Sequence, residues 1–149
     1  MHRACSIVAI LFIILSSQAV TAAGESRFGY MSLESVFLDL DHGTATYHLT
    51  YRIDDGMRFL FLFIGLNDLE NRVLTLIDEP SGDVTYCDTG RADVVVRNGA
   101  AIYGTGMYYY PRHIFSAAVP NLTIRTPQGL KYFRMTDSVP EGIGYYQQM

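Results

Sequence analysis

Cysteine is almost missing from this 149-residue chain, which has two. Cys5 precedes an N-terminal apolar run, so the body of the chain retains Cys87 alone. A single thiol forms no internal bridge, which excludes a disulfide-stapled scaffold and leaves Cys87 free or paired between chains. The simpler reading is a buried, inert side chain. Basic residues are also scarce, with 11 Lys and Arg against 15 Asp and Glu and a net charge of −4. A nucleic-acid binder needs a basic stripe to neutralise phosphates, so nucleic acid is excluded as a partner. There are no internal repeats, low-complexity tracts or blocks of like charge, and the body of the chain reads as one unit.

What is present begins with His2-Arg3, continues in an apolar stretch over residues 7–15, and reaches small residues ending in Val20-Thr21-Ala22-Ala23-Gly24. A basic start, a short apolar run and a small-residue cleavage site are the three parts of a secretory signal peptide. A spanning helix needs about 20 predominantly apolar residues, and Ser16, Ser17 and Gln18 interrupt this run. We therefore expect residues 1–23 to be a cleaved signal and residues 24–149 to be one secreted or cell-surface domain without a membrane span. A retained N-terminal anchor is the alternative. A domain of that length buries roughly two thirds of its unfolded surface, enough for a core without staples.

All 11 tyrosines and seven of the eight phenylalanines lie in the body of the chain, residue types that a pleated, half-buried surface selects. Ala45, Tyr47, Leu49, Tyr51 and Ile53 alternate with Thr44, Thr46, His48, Thr50 and Arg52, giving a strand with one wet face. Val36, Leu38 and Leu40 repeat the rhythm, and a His42-Gly43 turn would pair Leu40 with Ala45, Leu38 with Tyr47 and Val36 with Leu49. The unbroken apolar run 59–64 predicts a central strand covered on both faces. Leu69, Val73, Leu76 and Ile77 recur at helical spacing, and Asn67 with Glu70 resembles a capping box, so one helix is expected over 67–78. Further strands are expected at 84–87, at 94–96 paired with 100–103 through Asn98-Gly99, and at 114–119, 122–126 and 130–135. The fold class is mainly β: an antiparallel β-sandwich or compact barrel-like sheet with one short α-helix.

No arrangement of residues forms a catalytic or cofactor motif. Asp39, Asp41 and His42 offer oxygens to a hard cation, but further ligands at EF-hand spacing are missing, and turn residues explain them better. His42, His48 and His113 lack the spacing of a helical zinc pair, so no metal is assigned. A small hydrolase with a site assembled by folding from His48, His113 and nearby Asp residues is the alternative function. Gly104-Thr105-Gly106 lacks the lysine and the helix of a phosphate loop and predicts a mobile turn. Beside it stand Tyr108, Tyr109, Tyr110 and Arg112. Three consecutive tyrosines in a strand put at least one ring on the face opposite the others, and an exposed Tyr beside a loop is a common grip for glycan or protein partners. Asn121-Leu122-Thr123 is an N-glycosylation sequon, which places Asn121 as a modification candidate at a loop-to-strand boundary.

The pair Tyr103-Gly104, the run Tyr108-Tyr109-Tyr110-Pro111, Val119-Pro120-Asn121-Leu122-Thr123-Ile124, Thr126-Pro127 and the closing Pro140-Glu141-Gly142-Ile143-Gly144-Tyr145 together resemble uncharacterised exported proteins of methanogenic archaea. The likeness covers the last third of the chain and rests on turn and strand residues. It implies an archaeal extracytoplasmic location and no assigned activity, and it carries over no functional residues. The expected function is a non-enzymatic β domain that binds a protein or glycan component of the cell envelope.

Overall fold

The computed structural model describes residues 29–147; the signal expected over residues 1–23 lies outside them. Within them, β1 (Met31–Asp41) and β2 (Thr44–Ile53) form the hairpin that the period-two pattern demands. Leu40 faces Ala45, Leu38 faces Tyr47 and Val36 faces Leu49, and all six side chains are buried. His42 and Gly43 take positive φ values of 45° and 78°, the left-handed geometry that lets a two-residue turn follow the twist of its strands.

This hairpin is the middle of a six-stranded sheet. β2 pairs with β4 (Arg91–Val96) and β4 with β3 (Asp83–Cys87). On the other side β1 pairs with β7 (His113–Thr126) and β7 with β8 (Gly129–Val139), giving the order β3-β4-β2-β1-β7-β8. Strands β1 and β7 run parallel, so the sheet is mixed instead of wholly antiparallel. A parallel neighbour needs a long connection, and residues 42–112, β2 included, supply it. A second, antiparallel sheet joins β5 (Ala101–Ile102), β6 (Met107–Tyr110) and β9 (Ile143–Tyr146) in the order β5-β6-β9. Buried side chains from both sheets belong to one cluster. The described residues are mainly β, and among them no barrel closes.

Among the described residues two helices are present where one was expected. The second, α2 (Asn67–Leu76), buries Leu69, Val73 and Leu76, with Ile77 just beyond, against β3, β4 and β7. Its stripe is as the spacing predicts, but no side-chain cap forms: Leu66 occupies the cap position and Asn67 is already helical. The first, α1 (Asp55–Ile64), contains the run expected to be a central strand. Continuous apolar sequence carries no period, so it does not distinguish strand from buried helix. The centre of the sheet had no vacancy for it, since β1 and β2 are each flanked on both sides by other strands. Asp54 O accepts the Arg58 N–H at 2.8 Å, Asp55 complements the positive end of the helix, and Gly65 at φ 98° ends it. Of residues 59–64 only Phe61 is buried, so this run is not the core of the domain.

Two further expectations change. Asn98-Gly99 does not close a hairpin; it carries the chain from β4 in the large sheet to β5 in the small one, and Ala100 N–H donates to Gly43 O at 3.1 Å. A β-carbon at Gly99 would come within 2.9 Å of the Ala45 β-carbon, so the close passage over the hairpin selects glycine. The strands expected at 114–119 and 122–126 are one strand that pairs with β8 in regular register through Pro120-Asn121, and the register shifts earlier, between Ile114 and Val119.

The two apolar environments differ in their cost of truncation. Leu38→Ala, at a fully buried position, is expected to lower unfolding free energy by about 2–5 kcal/mol. Leu62→Ala on α1 should change it by less than about 0.5 kcal/mol. Urea denaturation of the two variants checks the contrast.

Candidate binding site

Alternation along β6 separates the three consecutive tyrosines. Tyr108 and Tyr110 point into the molecule, and Tyr109 points out with Met107. Cross-strand register extends the outer face: Tyr109 lies opposite Gly144 and Ala101, and Met107 lies opposite Tyr146. Tyr103, just past β5, keeps the same parity as Ala101, and its N–H donates to Met107 O at 2.8 Å. The outer face of the small sheet is therefore Tyr103, Met107, Tyr109 and Tyr146 around two residues with little or no side chain, Ala101 and Gly144. These four large side chains are 60%, 56%, 37% and 56% exposed.

The rings are held in place. Tyr103 meets Tyr109 edge to face, with ring centroids 6.4 Å apart and planes at 79°, an arrangement that sets the positive edge of one ring on the negative face of the other. The Tyr109 hydroxyl donates to Glu141 O at 2.9 Å. That ring rests on Gly142, where a β-carbon would stand 2.4 Å from the hydroxyl oxygen and where φ is 71°; both facts require glycine. Gln128 clamps the backbone of Tyr146, its side-chain amide donating to the Tyr146 carbonyl and accepting the Tyr146 N–H at 3.3 Å. At Gly144 a β-carbon would meet nothing within 4 Å. An open notch thus lies between Tyr109 on the neighbouring strand and Tyr146 on the same one.

The inner tyrosines serve packing. Tyr108 stacks on Tyr145 with centroids 5.4 Å apart and planes at 15°. Tyr110 is buried, its hydroxyl 2.5 Å from that of Tyr47, and the Tyr47 hydroxyl lies 3.3 Å from Glu79 Oε1. His113 completes this cluster: its Nε2–H donates to Ile77 O at 2.6 Å and its Nδ1 lies 3.4 Å from Glu79 Oε1. Burial pushes the Tyr47 hydroxyl far above the ordinary phenol range, and Tyr110 and Glu79 add to the effect. Burial likewise raises Tyr110. The pair stays neutral and joins β2, β6, β7 and the segment after α2.

The remaining residues singled out in the sequence are dispersed. Arg112 is exposed in the connection from β6 to β7, off the end of the small sheet. Asn121 lies within β7, not at its start, exposed, with its side-chain amide donating to Glu34 O at 3.3 Å. Cys87 is half-buried, its Sγ 3.6 Å from the Tyr51 hydroxyl, and burial raises its thiol. His48 pairs with Asp93 at 2.7 Å on the solvent face of the large sheet, whereas His113 lies against Tyr47 on the covered face. The sheet stands between them, so His48 and His113 do not meet in one site. Asp39 binds Arg125, with Nε 2.8 Å from Oδ1. Asp41 is engaged by His42 at 2.8 Å and by Gln147. Among the described residues, no group of three or more His, Cys, Asp and Glu side chains is placed to hold a metal ion.

Reading β6 with a period of two isolates Tyr109 and adds Met107 to its face. Tyr103, Gly144 and Tyr146 carry no such signal, because their membership depends on which strands pair. No family model, curated protein or solved structure matches this chain.

The Tyr47–Tyr110 bond is tested by a double-mutant cycle. Tyr47→Phe strands the buried Tyr110 hydroxyl and should cost about 1–3 kcal/mol; Tyr110→Phe leaves the Tyr47 hydroxyl its bond to Glu79 and should cost less, and the double variant should cost less than the sum of the two. Both folded-state values lie above the unfolded value near 10. The stability from the neutral pair is therefore complete below about pH 10 and is lost as pH rises beyond it. Urea titrations on both sides of that pH should show a steeper alkaline loss in the wild type than in the double variant.

Proposed function

We propose that this chain is a non-enzymatic β domain, working outside the cytoplasm, that binds a glycan or protein component of the cell envelope through the outer face of its small sheet. The observation that carries the reading is the cluster of Tyr103, Met107, Tyr109 and Tyr146, exposed together and fixed by backbone hydrogen bonds around the notch at Gly144. Tyrosine combines a large apolar surface with a polar tip and loses little side-chain entropy on binding, which favours it at recognition surfaces. The negative face of each ring attracts the C–H bonds on the apolar face of a sugar ring. An open notch one residue wide between two rings gives such a ring, or an inserted side chain, a place to lie flat. The face carries no ionised side chain, so charge does not drive its recognition.

Export supports the same reading, through the basic start, the apolar run and the small-residue site at residues 22–24. Expressed in an exporting host, the protein should be recovered outside the cytoplasm with Gly24 as its first residue by N-terminal sequencing; an intact Met1 would refute cleavage.

Binding is measured by calorimetry against neutral envelope oligosaccharides and, separately, against purified envelope proteins. Tyr109→Ala and Tyr146→Ala should each weaken the interaction about tenfold, the loss of about 1.4 kcal/mol of ring contact. Gly144→Leu, which fills the notch, should abolish it. Retention of wild-type affinity by all three variants would refute this face as the site.

A further inference from the structure

Helix α1 presents a continuous run of apolar side chains to solvent. Every side chain from residue 59 to residue 64 is apolar, yet only Phe61 is buried. Leu62, Phe63 and Ile64 are 72%, 75% and 66% exposed, and Phe59 and Phe63 touch each other, not the core, with centroids 4.8 Å apart. At about 100° per residue, the exposed side chains sweep an arc of roughly 200°. A protein neighbour packs on a stripe nearer about 100° wide and would leave half of that arc in water. A medium that is apolar on every side would cover all of it.

Polarity along the helix axis points the same way. Asp54, Asp55 and Arg58 are exposed at the start of the helix, and no charge follows until Asp68. Ten residues make a helix of about 15 Å, half of the roughly 30 Å hydrocarbon core of a bilayer. No helix among the described residues is long and apolar enough to cross a membrane. What α1 can do is lower its last turn and a half into a bilayer surface while its charged first turn stays among the headgroups.

The upstream sequence joins the domain on this side. Twenty-eight residues precede Gly29 and include the apolar run 7–15. They enter at Tyr30, whose carbonyl accepts the Asp54 N–H at 2.9 Å and whose ring lies 6.1 Å from that of Phe61. The segment of the chain best suited to a bilayer is thus joined to the domain beside α1, and until it is cleaved it delivers α1 to a membrane surface.

We infer that α1 is a membrane-contact helix whose C-terminal end inserts into the surface of a zwitterionic lipid bilayer. Its charged neighbours, Asp54, Asp55, Arg58 and Asp68, are acidic on balance, so the contact is apolar and insensitive to salt. The proposal is independent of the tyrosine face and gives it a position. α1 departs from the Ile53 end of the β1–β2 hairpin, whereas the small sheet meets the other end, where a β-carbon at Gly43 would lie 3.4 Å from the Tyr108 ring. Ten strand residues at about 3.3 Å each separate the two ends by roughly 30 Å. A domain resting on lipid through α1 would hold its binding face about that far from the point of contact.

The chain contains no tryptophan, so Phe63→Trp in the full chain creates a lone fluorescent reporter. On addition of phosphatidylcholine vesicles its emission should shift to the blue and be quenched by lipids brominated on the acyl chains. Tyr132→Trp, at an exposed position on β8, should show neither effect. Adding Leu62→Asp and Ile64→Asp to the reporter chain should raise the lipid concentration needed for the shift at least about tenfold, since each buried side chain removed is worth more than 1.4 kcal/mol. Circular dichroism of the variants should match that of the unaltered chain, since the changed positions are exposed. An emission indifferent to vesicles overturns the inference. So does an emission already blue without lipid, whether dilution reverses it, which assigns the helix to a second copy, or not, which assigns it to this chain's own upstream segment.

Discussion

The burial of Leu38 against Tyr47 across the β1–β2 hairpin is the contact on which the other layers depend. Both residues lie in the middle of the six-stranded sheet, on strands flanked on both sides, and both are completely buried. A slip of one residue in β2 would bring His48 and Arg52 to the covered face and expose Tyr47. Two charged or polar groups would then need partners in an apolar layer, at a cost of several kcal/mol. The register also places the Tyr47 hydroxyl where Glu79, Tyr110 and His113 converge. That convergence fastens the segment after α2 and the small sheet to the large one.

The tyrosines divide their labour by strand parity. Tyr47, Tyr110 and Tyr145 supply buried area to the core, and the first two satisfy each other's hydroxyls. Tyr103, Tyr109 and Tyr146 use the same chemistry outward, with only the hydroxyl of Tyr109 committed to the backbone of the turn after β8. One residue type thus builds the small sheet's attachment and its exposed face, and a two-residue period decides which is which.

Legibility followed periodicity. The hairpin from Val36 to Ile53 and the buried stripe Leu69, Val73, Leu76 and Ile77 were readable, because each pattern fits a single regular structure. Residues 59–64 were not, because an all-apolar run fits a strand and a helix equally well and only the lack of room at the centre of the sheet excludes the central strand. Asn98-Gly99 carried a strong local turn signal, and a turn is there, but its two arms belong to different sheets. The convergence of His48 and His113 that the alternative hydrolase reading required does not occur, because one points to each side of the same sheet.

The sequence by itself determined the predominance of strand, the β1–β2 register, the covered stripe of α2 and the opposition of Tyr109 to its two neighbours. These are consequences of side-chain alternation within a few consecutive residues. Tertiary structure alone decided that β1 and β7 run parallel, that Tyr146 and Gly144 stand beside Tyr109, and that α1 lies outside the core. Each depends on which distant segments pair and on what space remains once they have done so, and no local pattern of residues encodes it.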